Sequence, residues 1–146
     1  MQKRTRVTST TAALAALLAG SLAVGATANG APAEATSQAS LKWTDAGIPG
    51  VSTAQVRGEM AKGPSHFYLR YPAGFVAPRH HHSPDHYATT VSGTLVLVVD
   101  GKEQRLAPGS YFAFTNKAAH AVRCEGKEAC VMFIDARGAW DVVAEK

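Results

Sequence analysis

Short apolar segments alternate with glycine- and proline-containing turns along most of this chain. Several segments place an apolar residue at every second position, the period of a β-strand with one buried face. Asp100-Gly101 is a dipeptide typical of tight hairpin turns. Beyond the N-terminal segment no stretch keeps an apolar period of 3.6 residues, so the pattern excludes a helix bundle. Seven segments are predicted to be strands: 65–71, 75–82, 87–91, 94–99, 110–115, 121–124 and 130–135.

The number of these segments predicts the fold class. The chain has 146 residues, of which 46% are apolar, enough for one hydrophobic core. Many short antiparallel strands in a domain of about 110 residues indicate a sandwich or a barrel. We therefore expect an all-β, single-domain antiparallel β-barrel over residues 41–146.

The first 28 residues have the pattern of a secretory signal. They begin with three basic residues and no acidic one, Lys3, Arg4 and Arg6. An uncharged run follows at 12–24, and small residues at 26–28 allow cleavage before Asn29. A second possible cleavage site follows Ala33. Because the run is shorter than the roughly 20 residues of a membrane-spanning helix, secreted or periplasmic export is favoured over an uncleaved anchor.

Removal of the signal changes the charge of the chain. The full sequence has 15 basic and 11 acidic residues, a net +4, but three of the basic residues lie in the signal, which leaves 12 − 11 = +1. A nucleic-acid partner and binding to a membrane surface are therefore not favoured. Residues 29–40 contain one charge and no large apolar side chain, which predicts a flexible spacer.

Four of the six histidines are candidates for a metal site. Three histidines are consecutive, and in a strand His80 and His82 point to one face while His81 points to the other. His86 follows a short turn, where a hairpin would place it opposite the first pair. His120 precedes a later apolar strand that a closed barrel would bring to the same point. The alternative is that the triplet is a solvent-exposed, adventitious chelator.

The spacing around these histidines resembles the first motif of the cupin family. That motif reads Gly, five residues, His, one residue, His, three or four residues, Glu, six residues, Gly. The same positions here are Gly74, His80, His82, His86 and Gly93. Pro108-Gly109 and the following strand are similar to the second motif, with His120 as its metal-binding histidine.

The resemblance implies a cupin jelly roll with one divalent transition metal on four histidines. His86 stands where most cupins have glutamate, and the chain is similar to small secreted cupins with four histidine ligands. Four neutral imidazoles would leave the ion its full +2 charge and favour an anionic ligand. Imidazole binds Mn, Fe, Co, Ni, Cu and Zn. Six-coordinate Mn or Fe, which we favour, would keep two positions for substrate, whereas tetrahedral zinc would be filled.

Two classes of function follow from this site. The leading hypothesis is a metal-dependent oxidoreductase, dioxygenase-like, acting on a small enol, diketone or phenolic compound, because oxygen chemistry is frequent in the family. The alternative is a non-catalytic module that binds a small, anionic molecule through its metal or holds a structural zinc ion. Fold alone does not decide between them. The sequence predicts neither a catalytic residue nor the substrate.

The substrate pocket is predicted only through strand residues that would face inward or flank the ligands. A plain core position, or for the arginine an exposed surface position, is the more common role of such residues. The candidates are Phe67, Leu69, Arg79, Val122, Met132 and Ile134.

Cys124 and Cys130 are the only cysteines. Export favours a disulfide between them, on the paired strands of a final hairpin around the polar loop 125–129. Two free buried thiols are the alternative. The segment 43–57 looks like an edge strand and, together with the family resemblance, predicts a homodimer.

Overall fold

The computed structural model describes residues 33–146, and the predicted signal at 1–28 lies outside the described residues. One short 3-10 turn, Gln38–Ser40, precedes the strands. No helix in this part of the chain is long and apolar enough to cross a membrane. The eleven strands are β1 (Thr44–Asp45), β2 (Ser52–Gly58), β3 (Ser65–Tyr71), β4 (Val76–His81), β5 (His86–Ser92), β6 (Thr94–Val99), β7 (Lys102–Leu106), β8 (Tyr111–Phe114), β9 (His120–Glu125), β10 (Cys130–Ala136) and β11 (Val143–Ala144).

The strands form two antiparallel sheets with a shared apolar core. One sheet has the order β1-β2-β3-β10-β5-β8 and the other β11-β4-β9-β6-β7. The core takes Phe67 and Ile134 from the first sheet and Leu95 and Val122 from the second. This is the jelly-roll form of the predicted all-β fold, and in the described residues the hydrogen-bonded ladders remain two sheets and do not form one closed barrel.

Alternation of buried and less buried residues accounts for the strands that flank the core. β3 and β10 bury every second residue along their whole length, and β9 does the same. All seven predicted strands are present, with ends within one residue of the expected positions. The segment 43–57, predicted as an edge strand, contains β1 and most of β2, and β1 is the edge of the six-stranded sheet. The homodimer and the limits of the spacer at 29–40 stay predictions.

Two turns need backbone conformations that the sequence provides. Asp100 and Gly101 have φ of 49° and 73°, which suits the predicted hairpin between β6 and β7. Gly93 lies where the chain passes from β5 in one sheet to β6 in the other, with φ of 71°. A Cβ at Gly93 would lie 2.7 Å from the Ala129 carbonyl oxygen, so this position accepts only glycine without rearrangement.

Cys124 and Cys130 form the predicted disulfide, with Cα atoms 5.6 Å apart. The predicted hairpin around it is wrong. β9 pairs with β4 and β6, whereas β10 pairs with β3 and β5 in the other sheet. The disulfide therefore joins the two sheets within the core and does not link neighbouring strands of one sheet.

Candidate metal centre

Three histidines from the five-stranded sheet meet at one end of the core. His80 on β4 lies directly opposite His120 on β9, and His82 follows one residue after the end of β4. The ladder shifts register between Ala77 and His80, where Pro78 has no N–H to donate. All three imidazoles are buried, and one ring nitrogen of each lies within 4.8 Å of the others.

Backbone carbonyl groups fix the tautomer of these imidazoles. Nδ1 of His80 lies 2.7 Å from the Pro78 carbonyl oxygen and Nδ1 of His120 lies 2.8 Å from that of Ala118. Nδ1 of His82 contacts the carbonyl oxygen of Asp141 in the same way. Because a carbonyl oxygen only accepts, each Nδ1 must carry the proton and donate it. Each Nε2 is then the atom with the lone pair, as a metal ligand requires.

His86 comes to this point from the facing sheet. It begins β5, opposite Phe114 on β8 and Ala136 on β10, so β4 and β5 do not form the expected hairpin. Its ring centroid lies 4.7 Å from that of His82 but 6.3 Å from that of His120. The structure thus brings three of the four predicted ligands into one cluster and places His86 beside it. Its role as a fourth ligand stays a prediction.

Burial keeps the histidines of this centre neutral. Desolvation lowers the pKa of His82 to about 3, and the neighbouring His86 and His80 would add repulsion if they were charged. Desolvation likewise lowers the pKa values of His86 and His120 to about 4, and that of His80 below its ordinary value. Neutral imidazoles are the protonation state that binds a metal ion, so the electrostatics of the site fit the donor set.

Two aromatic side chains cover the imidazoles, and the sequence interpretation had assigned a site role to neither. Trp140 stacks on His82 with centroids 4.1 Å apart and meets His86 edge-on at 4.9 Å. Phe114 stacks on His120 at 3.5 Å. Phe114 belongs to the predicted strand 110–115, whereas Trp140 lies outside the predicted strands.

The cavity beside the histidines is small, about 20 Å³, which is room for about one water molecule. Tyr71 also lines it, and burial raises the pKa of its phenol to about 12, so it stays protonated. Four predicted pocket residues line this cavity, namely Leu69, Val122, Met132 and Ile134.

The other candidates lie outside the cavity. Phe67 is fully buried and packs edge-on against Trp140 at 5.1 Å. Arg79 is exposed on β4, and its carbonyl oxygen accepts a hydrogen bond from the Glu145 N–H. His81 points away from the cluster, as predicted, and its Nδ1 meets the Glu145 carboxylate.

The residues present suit a divalent transition metal. Three buried, neutral imidazoles with oriented Nε2 lone pairs are nitrogen donors of the kind that Mn, Fe, Co, Ni, Cu and Zn accept. The residues that would hold the ion are His80, His82 and His120, with His86 in reach of the same region.

Comparison with known proteins supports this interpretation of fold and motif. Several solved structures share the fold at low sequence identity. KdgF from Halomonas sp. has 19% identity and a TM-score of 0.60, and the match covers 73% of this chain and 94% of that one. The polyketide cyclase RemF from Streptomyces resistomycificus has 14% identity and a TM-score of 0.65, covering 79% and 87%. An RmlC-like cupin from Shewanella frigidimarina has 14% identity and a TM-score of 0.57, covering 70% and 88%.

None of the curated proteins matches the sequence. A family model, however, matches its central part. Residues 67–135, which contain all four candidate ligands, match the family model described as Cupin domain. With the jelly-roll fold and the clustered histidines, this match shows that residues 67–135 of the chain form a domain of the cupin superfamily.

Proposed function

We propose that this protein is a secreted, metal-dependent oxidoreductase of the dioxygenase type, acting on a small enol, diketone or phenolic compound. The observation that carries the proposal is the convergence of three buried imidazoles, each with its Nε2 free of the backbone, at an apolar cavity. A site with three protein ligands keeps positions for substrate, as in catalytic metal sites.

The chain's own residues would bind and orient an anionic head group. When bound, a divalent Mn or Fe ion supplies Lewis-acid and redox chemistry for an enolate or a catecholate. The neutral imidazoles add no negative charge, so the site attracts anions. Leu69, Met132 and Ile134 exclude water around the head group. The Tyr71 phenol, which remains protonated, is a hydrogen-bond donor within the same cavity.

One observation favours the second candidate, a non-catalytic metal-binding module. The cavity holds little more than a water molecule, and Trp140 covers His82 and His86. A site closed in this way suits a structural ion, and with His86 as fourth ligand a tetrahedral zinc ion would have no open position.

Oxygen consumption by the metal-loaded protein distinguishes the two candidates. The Mn(II)-loaded and the Fe(II)-loaded proteins would be incubated with panels of diketones and catechols in an oxygen electrode. We expect turnover with at least one panel, lost in His120→Ala and retained in His66→Ala, a histidine on the far face of β3 near Asp135. Absence of turnover with every compound, together with zinc as the metal of the native protein, would support the module instead.

We also propose that residues 1–28 export the protein to the periplasm or the medium. The inter-sheet disulfide is compatible with an extracytoplasmic compartment. A fusion of residues 1–28 to an alkaline phosphatase without its own signal should be active outside the cytoplasm. Leu17→Arg, which places a charge in the apolar run, should abolish that activity, and equal activity of both fusions would contradict the proposal.

A further inference from the structure

A second and larger cavity, of about 260 Å³, lies where an edge of one sheet faces an edge of the other. Ile48 and Val51 in the β1–β2 connection and Met60 in the β2–β3 connection form one wall. The segment that leads into β11 forms the other and contributes Val142. This cavity, which we call the side pocket, is about thirteen times as large as the space beside the histidines.

The side pocket shares a wall with the candidate metal centre. Four residues line both cavities, namely Leu69, Tyr71, His82 and Trp140, and the rings of His82 and Trp140 are stacked on one another. The backbone N–H of Trp140 donates to the Met60 carbonyl oxygen at 2.7 Å, which ties this shared wall to the connection between β2 and β3. The side pocket therefore lies directly against the metal centre, and a molecule in it contacts His82 of the cluster.

The carboxylate of the side pocket is already engaged. Asp141 is the one carboxylate in its lining, and the Ser83 N–H donates to that carboxylate at 2.7 Å. The Ser83 hydroxyl donates to the other carboxylate oxygen. No lysine or arginine of the described residues lines the pocket. The pocket therefore offers apolar contact to a ligand and little attraction to a charge.

Exposed apolar side chains mark the mouth of the side pocket. Ile48 is 38% exposed and Val142 is 54% exposed. Both lie on the pocket's rim, from opposite walls. Solvent-exposed apolar side chains that border an apolar cavity are typical of ligand sites.

We propose that the side pocket binds an uncharged aromatic or branched apolar group of a small molecule whose polar head occupies the metal centre. A cavity of about 150 Å³ accommodates benzene, so this one accommodates a substituted phenyl ring. The assignment of the head group rests on the proposed function, whereas the apolar tail depends on the side pocket alone. The ligand class is then a diketone or phenol with one ring-sized apolar substituent.

Fluorescence of Trp140 provides a binding signal from the shared wall. The sequence contains two tryptophans, so Trp43→Phe leaves Trp140 as the single reporter. In this background, the Mn(II)-loaded and metal-free proteins would be titrated with three probes. Acetylacetone has the head alone, 1-phenylbutane-1,3-dione has the head and a phenyl tail, and acetophenone has the ring without the diketone.

We expect the phenyl diketone to bind the loaded protein at least about tenfold more tightly than acetylacetone, since it buries one additional ring. Ile48→Asp and, separately, Val142→Asp should remove this gain and leave the affinity for acetylacetone unchanged. Val76→Asp, at a side chain 63% exposed on β4 and outside the lining, is the matched control and should keep it.

The proposal is overturned if the phenyl tail gives no gain, or if the gain survives both rim variants. It is also overturned if Ile48→Asp converts a dimer to a monomer in light scattering without changing probe affinity, because a second copy would then cover the rim. If instead the proposed function is wrong, the probes should show a different binding pattern. Acetylacetone would then bind loaded and metal-free protein equally, while acetophenone would still bind and still respond to both rim variants.

Discussion

At the scale of single residues, the imidazoles of the centre are oriented by two kinds of contact. His80, His86 and His120 each place Nδ1 toward the carbonyl oxygen of the residue two positions earlier, at 2.7, 3.5 and 2.8 Å. These contacts are local and form with the strand itself. His82 alone depends on a distant segment, because its partner is the carbonyl oxygen of Asp141.

The alternation of side chains along β4 gives a matched pair of variants. His82→Ala removes a cluster imidazole and should weaken metal binding by at least an order of magnitude. His81→Ala removes the adjacent imidazole, which meets Glu145 on the other face, and should leave the affinity within about twofold. Competition with a fluorescent chelator measures both. Equal losses in the two variants would contradict the assignment of His82 to the cluster.

The sequence predicted the direction of a side chain correctly where a local repeat along the chain determines that direction. A spacing of two residues places His80 and His82 on one face in any strand. The distance of His86 from His120 depends on which sheet each strand joins, and no local pattern encodes that. The position of Trp140 at the site could not be predicted either. A lone aromatic residue in a glycine-containing segment belongs to no periodic pattern that would show which face it occupies.

At the scale of elements, the segment before β11 completes the site from outside the sheets. Val143 and Ala144 pair with His81 and His80 on β4, so this short strand continues the sheet next to the metal ligands. The Asp141 carboxylate accepts hydrogen bonds from the backbone N–H and the hydroxyl of Ser83. The segment is therefore held at the turn that directly follows His82.

Loosening this segment should weaken metal binding without removing a ligand. Asp141→Ala loses both hydrogen bonds from Ser83 and should free the carbonyl that orients His82, lowering metal affinity about tenfold. Ser83→Ala loses only the hydroxyl contact and should have a smaller effect. Hydrogen exchange at Val143 and Ala144 should quicken in the same order. If metal affinity falls while hydrogen exchange at Val143 and Ala144 is unchanged, Asp141 does not act by holding this segment in place.

The disulfide joins two elements that no hydrogen-bonded ladder connects. Its closed loop is short, with a sequence separation of 6, so the chain-entropy model gives a contribution of about 2 kcal/mol to the free energy of unfolding. Urea denaturation with and without reductant should show a loss of this size. The double variant Cys124→Ala/Cys130→Ala should be insensitive to reductant, and a reductant-dependent shift in that variant would place the effect elsewhere.

The elements that sequence reasoning missed share a physical cause. In β7 four of five residues are exposed, so the segment has no apolar alternation to detect, although its hairpin turn was predicted. β11 is two residues long, and both residues are exposed. The wrong hairpin between β9 and β10 came from the usual pairing of consecutive strands, which a jelly roll breaks each time the chain crosses between sheets.

At the scale of the whole molecule, the metal centre is built into the hydrophobic core. The cavity beside the histidines is lined by core residues of both sheets, among them Leu95 and Met132. The histidines are therefore buried by the same packing that stabilises the fold. Protonation of the site and unfolding are linked for this reason.

We expect the metal-free protein to lose stability as the pH falls below about 6.5. In the folded state burial lowers the pKa of His82 to about 3 and those of His86 and His120 to about 4, whereas in the unfolded chain they return to about 6.5. Between these values the unfolded chain binds protons that the folded state excludes, so the stability is complete above pH 6.5 and decreases on acidification. The decrease reaches up to about 1.4 kcal/mol per pH unit for each of the three groups. Urea midpoints at pH 7, 6 and 5 in the presence of a chelator measure it, and excess Mn(II) should raise the midpoint at each of these pH values because the ion binds the folded state. A midpoint that is constant from pH 7 to 5 without metal would mean that the histidines are accessible to solvent in the folded state.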